Sequence, residues 1–326
     1  MVYISDYCSF LAGGYINKAS SLADLKVIDK PMSFAYEPDY KNIIPPMQLR
    51  RMSKPIRLSV AAVKHILPEE TKMAISAINV GTAYGMLTDS ENFLSKLVLQ
   101  DEEMLNPTAF IQSTQNTVGG QVALMLGCEA PNMTYVQRGH SFEHALLDIE
   151  LSDCAIDNYI LGGVDEITPL FHDIVDNLVR LYAQSNNTNY LSEGAAYLRV
   201  SNTQKADSIA AIADTTYFTT RSLSTFRRNV LAFLALHNIQ QLDDIHLVIG
   251  NAPNNSLDIF FKILTRKLLP NANVDNYKLF ASDFPTASAV GVCYGVKKMQ
   301  EQNLERVLIV QNYQDDWSLW LLDAIK

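Results

Sequence analysis

The sequence is short of charge. Asp, Glu, Lys and Arg make up 19% of its 326 residues, against roughly 25% in an ordinary soluble domain. Two readings fit: a larger core than usual, or a buried subunit interface, because interface cores are depleted of charge. Basic residues are the scarcer sign, 26 against 35 acidic, for a net charge of −9. That excludes a globally basic surface, and no nucleic-acid-binding motif is present, so no nucleic-acid partner is expected. No apolar run reaches the ~18 residues that a membrane span requires. The opening MVYISDYCSF lacks the basic start and apolar stretch of a signal peptide. The four cysteines, Cys8, Cys128, Cys154 and Cys293, lie far apart with no CxxC pair. A metal or redox motif is therefore not expected, nor any cofactor, and free thiols in a cytoplasmic protein are the simplest account.

What the sequence does have is alternation. The patterning predicts strands over 2–7, 73–80, 133–137 and 159–164, interleaved with helices over 45–67, 90–99, 112–126 and 141–151. Strands follow over 194–200, 209–217, 245–249, 277–281, 307–312 and 317–322, with helices over 223–237, 257–268 and 287–299. This order is that of an α/β protein, and its repetition suggests an internal duplication. The polar segment 184–189 is the natural seam, giving halves 1–190 and 191–326. On helix 90–99, Phe93, Leu94, Leu97 and Val98 form one stripe. The pair Gly119-Gly120 costs a helix ~2 kcal/mol relative to alanine, which close packing would justify. Arg50, Arg51, Lys54, Arg57 and Lys64 make the first helix basic, either as a solvated face or as a landing site for an acidic partner.

Several motifs carry a resemblance. They are Asn106-Pro107 with Phe110, Ser113 and Asn116, the Pro131-Asn132 turn, Ala145 on the following helix, and Gly162-Gly163 leading to Asp165-Glu166. The run LRRM at 49–52, Glu193-Gly194-Ala195-Ala196 and the stretch 282–291 agree in order. Together they resemble the β-ketoacyl synthases, the condensing enzymes of fatty acid and polyketide synthesis. The resemblance implies the thiolase fold, with two βαβαβ halves in a five-layer α/β/α/β/α sandwich that works as a dimer.

It also implies three catalytic groups. One is a cysteine thiolate whose pKa is lowered by a helix N-terminus. The others are two histidines that stabilise the enolate formed on decarboxylation. Aligned with the family, the cysteine position falls on Gly139 and the first histidine position on Gly250, followed by Asn251 and Ala252. The second histidine position falls on Ala287, and Ser282 stands where the family has a lysine. Glycine can neither form a thioester nor move a proton.

A condensing-enzyme scaffold without its triad resembles the chain-length factor, the non-catalytic sister subunit of type II ketosynthase heterodimers, here of the aryl polyene and flexirubin kind. The implied partners are a catalytic β-ketoacyl synthase and an acyl carrier protein. By this resemblance Phe93, Leu97, Phe110 and Met133 are candidates for the acyl tunnel, with core packing as the plainer reading. Asn116, Met133, Tyr135 and Gln137 are candidates for the dimer seam, and Arg50, Arg51, Lys54 and Arg57 for carrier-protein docking. His140 and Ser141 are candidates for a residual pocket, although Ser141 also suits a helix N-cap. An acyl hydrolase or acyltransferase using these two residues is the competing activity, but GxSxG is not met because Glu143 occupies the second glycine position. A stand-alone homodimer that binds an acyl chain or carrier is a third possibility.

Overall fold

Strands buried on both faces read as continuous apolar runs, and the sequence has several of them. In the computed structural model they form the centre of the molecule. All residues are described except 68–73, 104, 155, 184–189, 241–244, 254–256 and 326. The first half runs β1 (Val2–Leu11), β2 (Gly14–Asn17), β3 (Met32–Ser33), α1 (Pro46–Leu49), α2 (Lys54–Ile66), β4 (Ala77–Gly81), α3 (Leu87–Leu99), α4 (Pro107–Gln112), α5 (Thr117–Leu126), β5 (Asn132–Tyr135), α6 (Ser141–Glu150), β6 (Tyr159–Asp165), α7 (Pro169–Ala183), β7 (Leu191–Ser192) and β8 (Gly194–Ser201). The second runs β9 (Ala210–Thr219), α8 (Leu223–Leu236), β10 (His246–Gly250), α9 (Asp258–Ile263), β11 (Asn273–Asn276), α10 (Lys278–Ala281), α11 (Ala287–Gln302), β12 (Arg306–Tyr313) and β13 (Asp316–Ala324).

The strands line up as β5-β4-β6-β8-β1 and, continuing, β9-β13-β12-β10-β11, with β2 added to β1. Numbered by their order within each half, both sets read 3-2-4-5-1 from the outer edge inward. In both, the outer three strands are parallel and the fifth runs antiparallel to its neighbours. The duplication expected from element order is thus present strand by strand. The two sets meet where Val2–Ile4 of β1 pair with Ala210–Ile212 of β9.

Three apolar clusters give the helix layers. Helices α2 and α5 cover the outer face of the first set, with Leu58, Ala62 and Val122 against Ile78, Val80 and Ile160. Helices α8 and α9 cover the second, with Phe226, Val230 and Phe260 against Leu247, Leu308 and Trp317. Between the sets, α6 and α11 share one core in which Phe142, Leu146, Val290 and Cys293 meet Leu161, Leu198, Ile309 and Trp320. This is the five-layer α/β/α/β/α arrangement of the thiolase fold. Helix α11 is buried on nearly every side, as an all-round apolar helix must be.

Local expectations needed correction. The run 277–281 is a helical turn, not a strand; the strand is the polar Asn273–Asn276 just before it. Tyr277 and Ala281 are buried beneath the sheet rather than within it. The helix expected over 45–67 breaks into α1 and α2, and that over 112–126 starts only at Thr117 as α5, with the separate α4, capped by Asn106, ending at Gln112. The close packing expected to justify the glycine pair is absent: a Cβ at Gly119 would make ordinary contacts with Asn132 and Thr134 of β5, at 3.5 Å or more, and Gly120 faces open space. The seam 184–189 lies outside the described residues. Strand β8 pairs with β6 and β1, so pairing assigns it to the first half, beyond the boundary drawn at 190/191.

Candidate functional site

In open α/β sheets ligands bind beyond the carboxyl ends of the parallel strands. Here those ends bring together the turns after β4, β6, β10 and β12 and the first turns of α6 and α11. Asp165, the last residue of β6, organises the centre. Its Oδ1 accepts from Thr82 Oγ1 (3.1 Å), Ala83 N and Tyr84 N (2.8 Å each), and its Oδ2 from Thr286 N (3.1 Å) and Thr286 Oγ1 (2.9 Å). Burial pushes this carboxyl up to about 6 in spite of those donors. Asp165 thereby fastens the loop after β4 to the start of α11, one half to the other.

The positions expected to carry the triad are filled by neighbouring side chains. A Cβ at Gly139 would lie 2.9 Å from Asp316 Cβ and 3.1 Å from Tyr313 Cβ. Gly139 N donates to Asp316 Oδ2 (3.2 Å), and the preceding Arg138, with φ of 51°, reaches Gln314 Oε1 (3.1 Å). A Cβ at Gly250 would lie 2.5 Å from Gln311 Cβ and 2.9 Å from the Tyr277 ring. Ala287 is fully buried. Neither glycine position has room for a side chain without rearrangement. The thiols are elsewhere: Cys8 and Cys293 are buried on β1 and α11 with their pKa values pushed up by burial, while Cys128 and Cys154 follow the ends of α5 and α6.

His140 and Ser141 do not form a catalytic pair. His140 Nε2 lies 3.3 Å from the Trp317 carbonyl, which only accepts, so this nitrogen carries the proton. Its ring packs on Tyr217, and burial pulls its pKa down. Ser141 Oγ donates to Arg138 O (2.8 Å) and accepts from Gln137 N (2.9 Å). Ser141 is therefore the first residue of α6 and clasps the turn before it, rather than capping the helix as its N-cap.

Lys278 went unanticipated, because it lies in the run read as a strand. Its fully buried ammonium donates to Asp283 Oδ1 (2.6 Å) and to the Asn312 carbonyl. Tyr84 and Tyr313 join the halves through their hydroxyls (2.6 Å). Periodicity gives no hint of either contact.

The remaining candidates separate by location. Phe93 and Phe110 meet at 5.6 Å between ring centres, joining α3 to α4. Leu97 is half-buried, and Met133 is 49% exposed on β5. No residue of α3 is buried, so its apolar stripe lies at the surface, with Leu94 and Val98 exposed. Asn116 and Gln137 are exposed and Tyr135 is half-buried. Strand β5 ends the sheet, so one of its edges is unpaired. Two of the four docking candidates are engaged internally. Lys54 pairs with buried Glu193, and Arg57 approaches Glu37 at 3.4 Å and lies over the Tyr40 ring. These contacts strap residues 34–40 to α2, leaving Arg50 and Arg51 as the exposed pair.

Residues 29–176 match the profile described as beta-ketoacyl synthase, N-terminal domain. Over this stretch, somewhat less than half of the chain, the sequence is similar to that family's N-terminal domain. The chain also shares the fold of solved ketosynthases. The ishigamide ketosynthase/chain length factor aligns over 100% of this chain and 99% of its own, at 14% identity and a TM-score of 0.79. AntDE:AntF, a type II PKS acyl-carrier protein in complex with its ketosynthase bound to the hexaketide, aligns over 99% of both chains at 13% identity and a TM-score of 0.76. The ketosynthase ApeO in complex with its chain length factor ApeC, from Xenorhabdus doucetiae, aligns over 99% of this chain and 98% of its own at 13% identity, with a TM-score of 0.56. No curated protein sequence matches the chain. Among the described residues no helix is long and apolar enough to cross a membrane.

Proposed function

We propose that this chain is a non-catalytic, chain-length-factor-like subunit. It pairs with an active β-ketoacyl synthase and shapes the acyl tunnel during chain elongation on an acyl carrier protein. What supports the reading is a ketosynthase-like fold in which Gly139, Gly250 and Ala287 fall where the resemblance puts the triad. Asp316 and Tyr313 crowd the first, and Gln311 and Tyr277 the second. A nucleophile has neither an atom nor a space there.

The same geometry weighs against a hydrolase, since the Ser141 proton goes to Arg138 O and His140 faces Trp317 O. The unpaired edge of β5, with Met133 and Val136 about half exposed, suits a seam with a second subunit. The Phe93–Phe110 pair between α3 and α4 suits a tunnel wall. The test is co-expression with candidate synthases and a carrier protein. A 1:1 complex whose product length changes with Phe110→Ala supports the reading. A stable homodimer that binds no synthase and leaves product length unchanged overturns it.

A further inference from the structure

One ionisable group at the junction of the two halves is used by nothing described so far. Glu143 stands in the first turn of α6 and is fully buried. It faces Ser288, in the first turn of α11, and Ser318, on β13, both from the second half. Ser318 Oγ accepts from Gln311 Nε2 (2.8 Å) and Trp320 Nε1 (3.0 Å), so its own proton is left to point at the carboxyl. Both serine hydroxyls and Glu143's own backbone N–H temper the cost of charge on the carboxyl. None of them forms a full hydrogen bond with it, for both carboxyl oxygens and Ser288 Oγ lack a partner within hydrogen-bond distance and angle.

Among the described residues no cation offsets this. The groups facing Glu143 from packed elements are Asp316 of β13, Tyr217 of β9 and Tyr277 ahead of α10, and α11 brings Ser288 there. On its own side stand His140, whose pKa burial pulls down, and His144, whose ring lies against Tyr217. Arg138, on the turn before α6, reaches Gln314 and Asp316. The helix N-terminus and the two serine hydroxyls favour negative charge, but they act against complete loss of hydration with no opposite charge to help them.

We propose that Glu143 is a proton-dependent latch between the halves: neutral, it lets the first turns of α6 and α11 close on β13, and ionised, it loosens that junction. Burial pushes the carboxyl from its ordinary 4.5 up to about 7. The closed form therefore binds the proton more tightly than the opened form, and opening grows as pH rises between those values. Raising pH from about 6 to about 8.5 should increase opening roughly tenfold. This does not depend on the subunit reading above, because the latch lies wholly within one chain.

The experiment is hydrogen–deuterium exchange on the full chain, corrected for intrinsic rates, following peptides over 141–147 and 287–293. Wild type should show the tenfold rise and Glu143→Gln a flat profile. A rise of equal size in Glu143→Gln, or a flat wild-type profile, overturns the proposal. If Glu143→Gln does not fold, Glu143→Met serves as the uncharged reference. The wild-type profile remains decisive without either variant, since its flatness alone refutes the latch.

Discussion

At the scale of single residues, burial sets the chemistry at the start of α6. His140 and Glu143 are one turn apart and are displaced in opposite senses, the histidine downward and the carboxyl upward. A base lowered in the folded state stabilises the fold above its unfolded value and loses that contribution as pH falls from about 6.5. His140→Asn should therefore flatten the acid side of a pH–stability curve, which thermal unfolding across that range measures. Asp165 is a different case, because five donors converge on it. Asp165→Ala should leave several of them buried and unmet, at roughly 1–3 kcal/mol apiece before relaxation. Urea unfolding should show a large loss, with two-state behaviour failing if the halves come apart. Gly139→Cys installs the missing thiol where Asp316 and Tyr313 already sit. It should destabilise by about 1–3 kcal/mol and yield no condensing activity with carrier-bound substrates.

At the scale of elements, most strands were legible because a strand buried on both faces must be apolar along its length. Strands β4, β6, β10, β12 and β13 fall close to where patterning puts them. Strand β11 did not, since Asn273–Asn276 is a polar edge strand, and the apolar residues after it turn inward as α10. The resemblance proposes Gly139, Gly250 and Ala287 as the triad positions. What crowds the two glycines was not legible, because Asp316, Gln311 and Tyr277 arrive from distant parts of the chain. Lys54 and Arg57 show the same limit: a basic run looks solvated until Glu193 and Glu37 are folded against it. Strand β5 yields a prediction at this scale. Met133 is half-exposed on a sheet edge, so Met133→Lys should change the stability of the isolated chain by no more than about 0.5 kcal/mol. The same change should abolish co-purification with a partner synthase if that edge is the seam.

At the scale of the whole molecule, the low charge goes with a large core, and the proposed subunit interface would account for more of it. Helix α11 and the layer it shares with α6 enlarge the core. The first half also presents Leu94, Val98, Leu99, Phe110, Ile111 and Met133 to solvent. Apolar exposure on that scale marks an interaction surface or an aggregation liability. Light scattering on the chain purified alone should therefore show self-association that a cognate partner suppresses. The −9 net charge should slow approach to an acidic carrier, leaving the exposed Arg50 and Arg51 or a partner subunit to receive it.

The shared strand order carries a consequence for how the protein is made. Strand β1 is synthesised before every other element of this fold, yet Tyr3 faces Ser201 on one side and Ala211 on the other. Except where β2 folds back on it, β1 has no sheet partner until β8 and β9 have been synthesised. An apolar strand left waiting that long is open to chaperone capture and to mispairing. Contacts this distant in sequence also make the closing step slow.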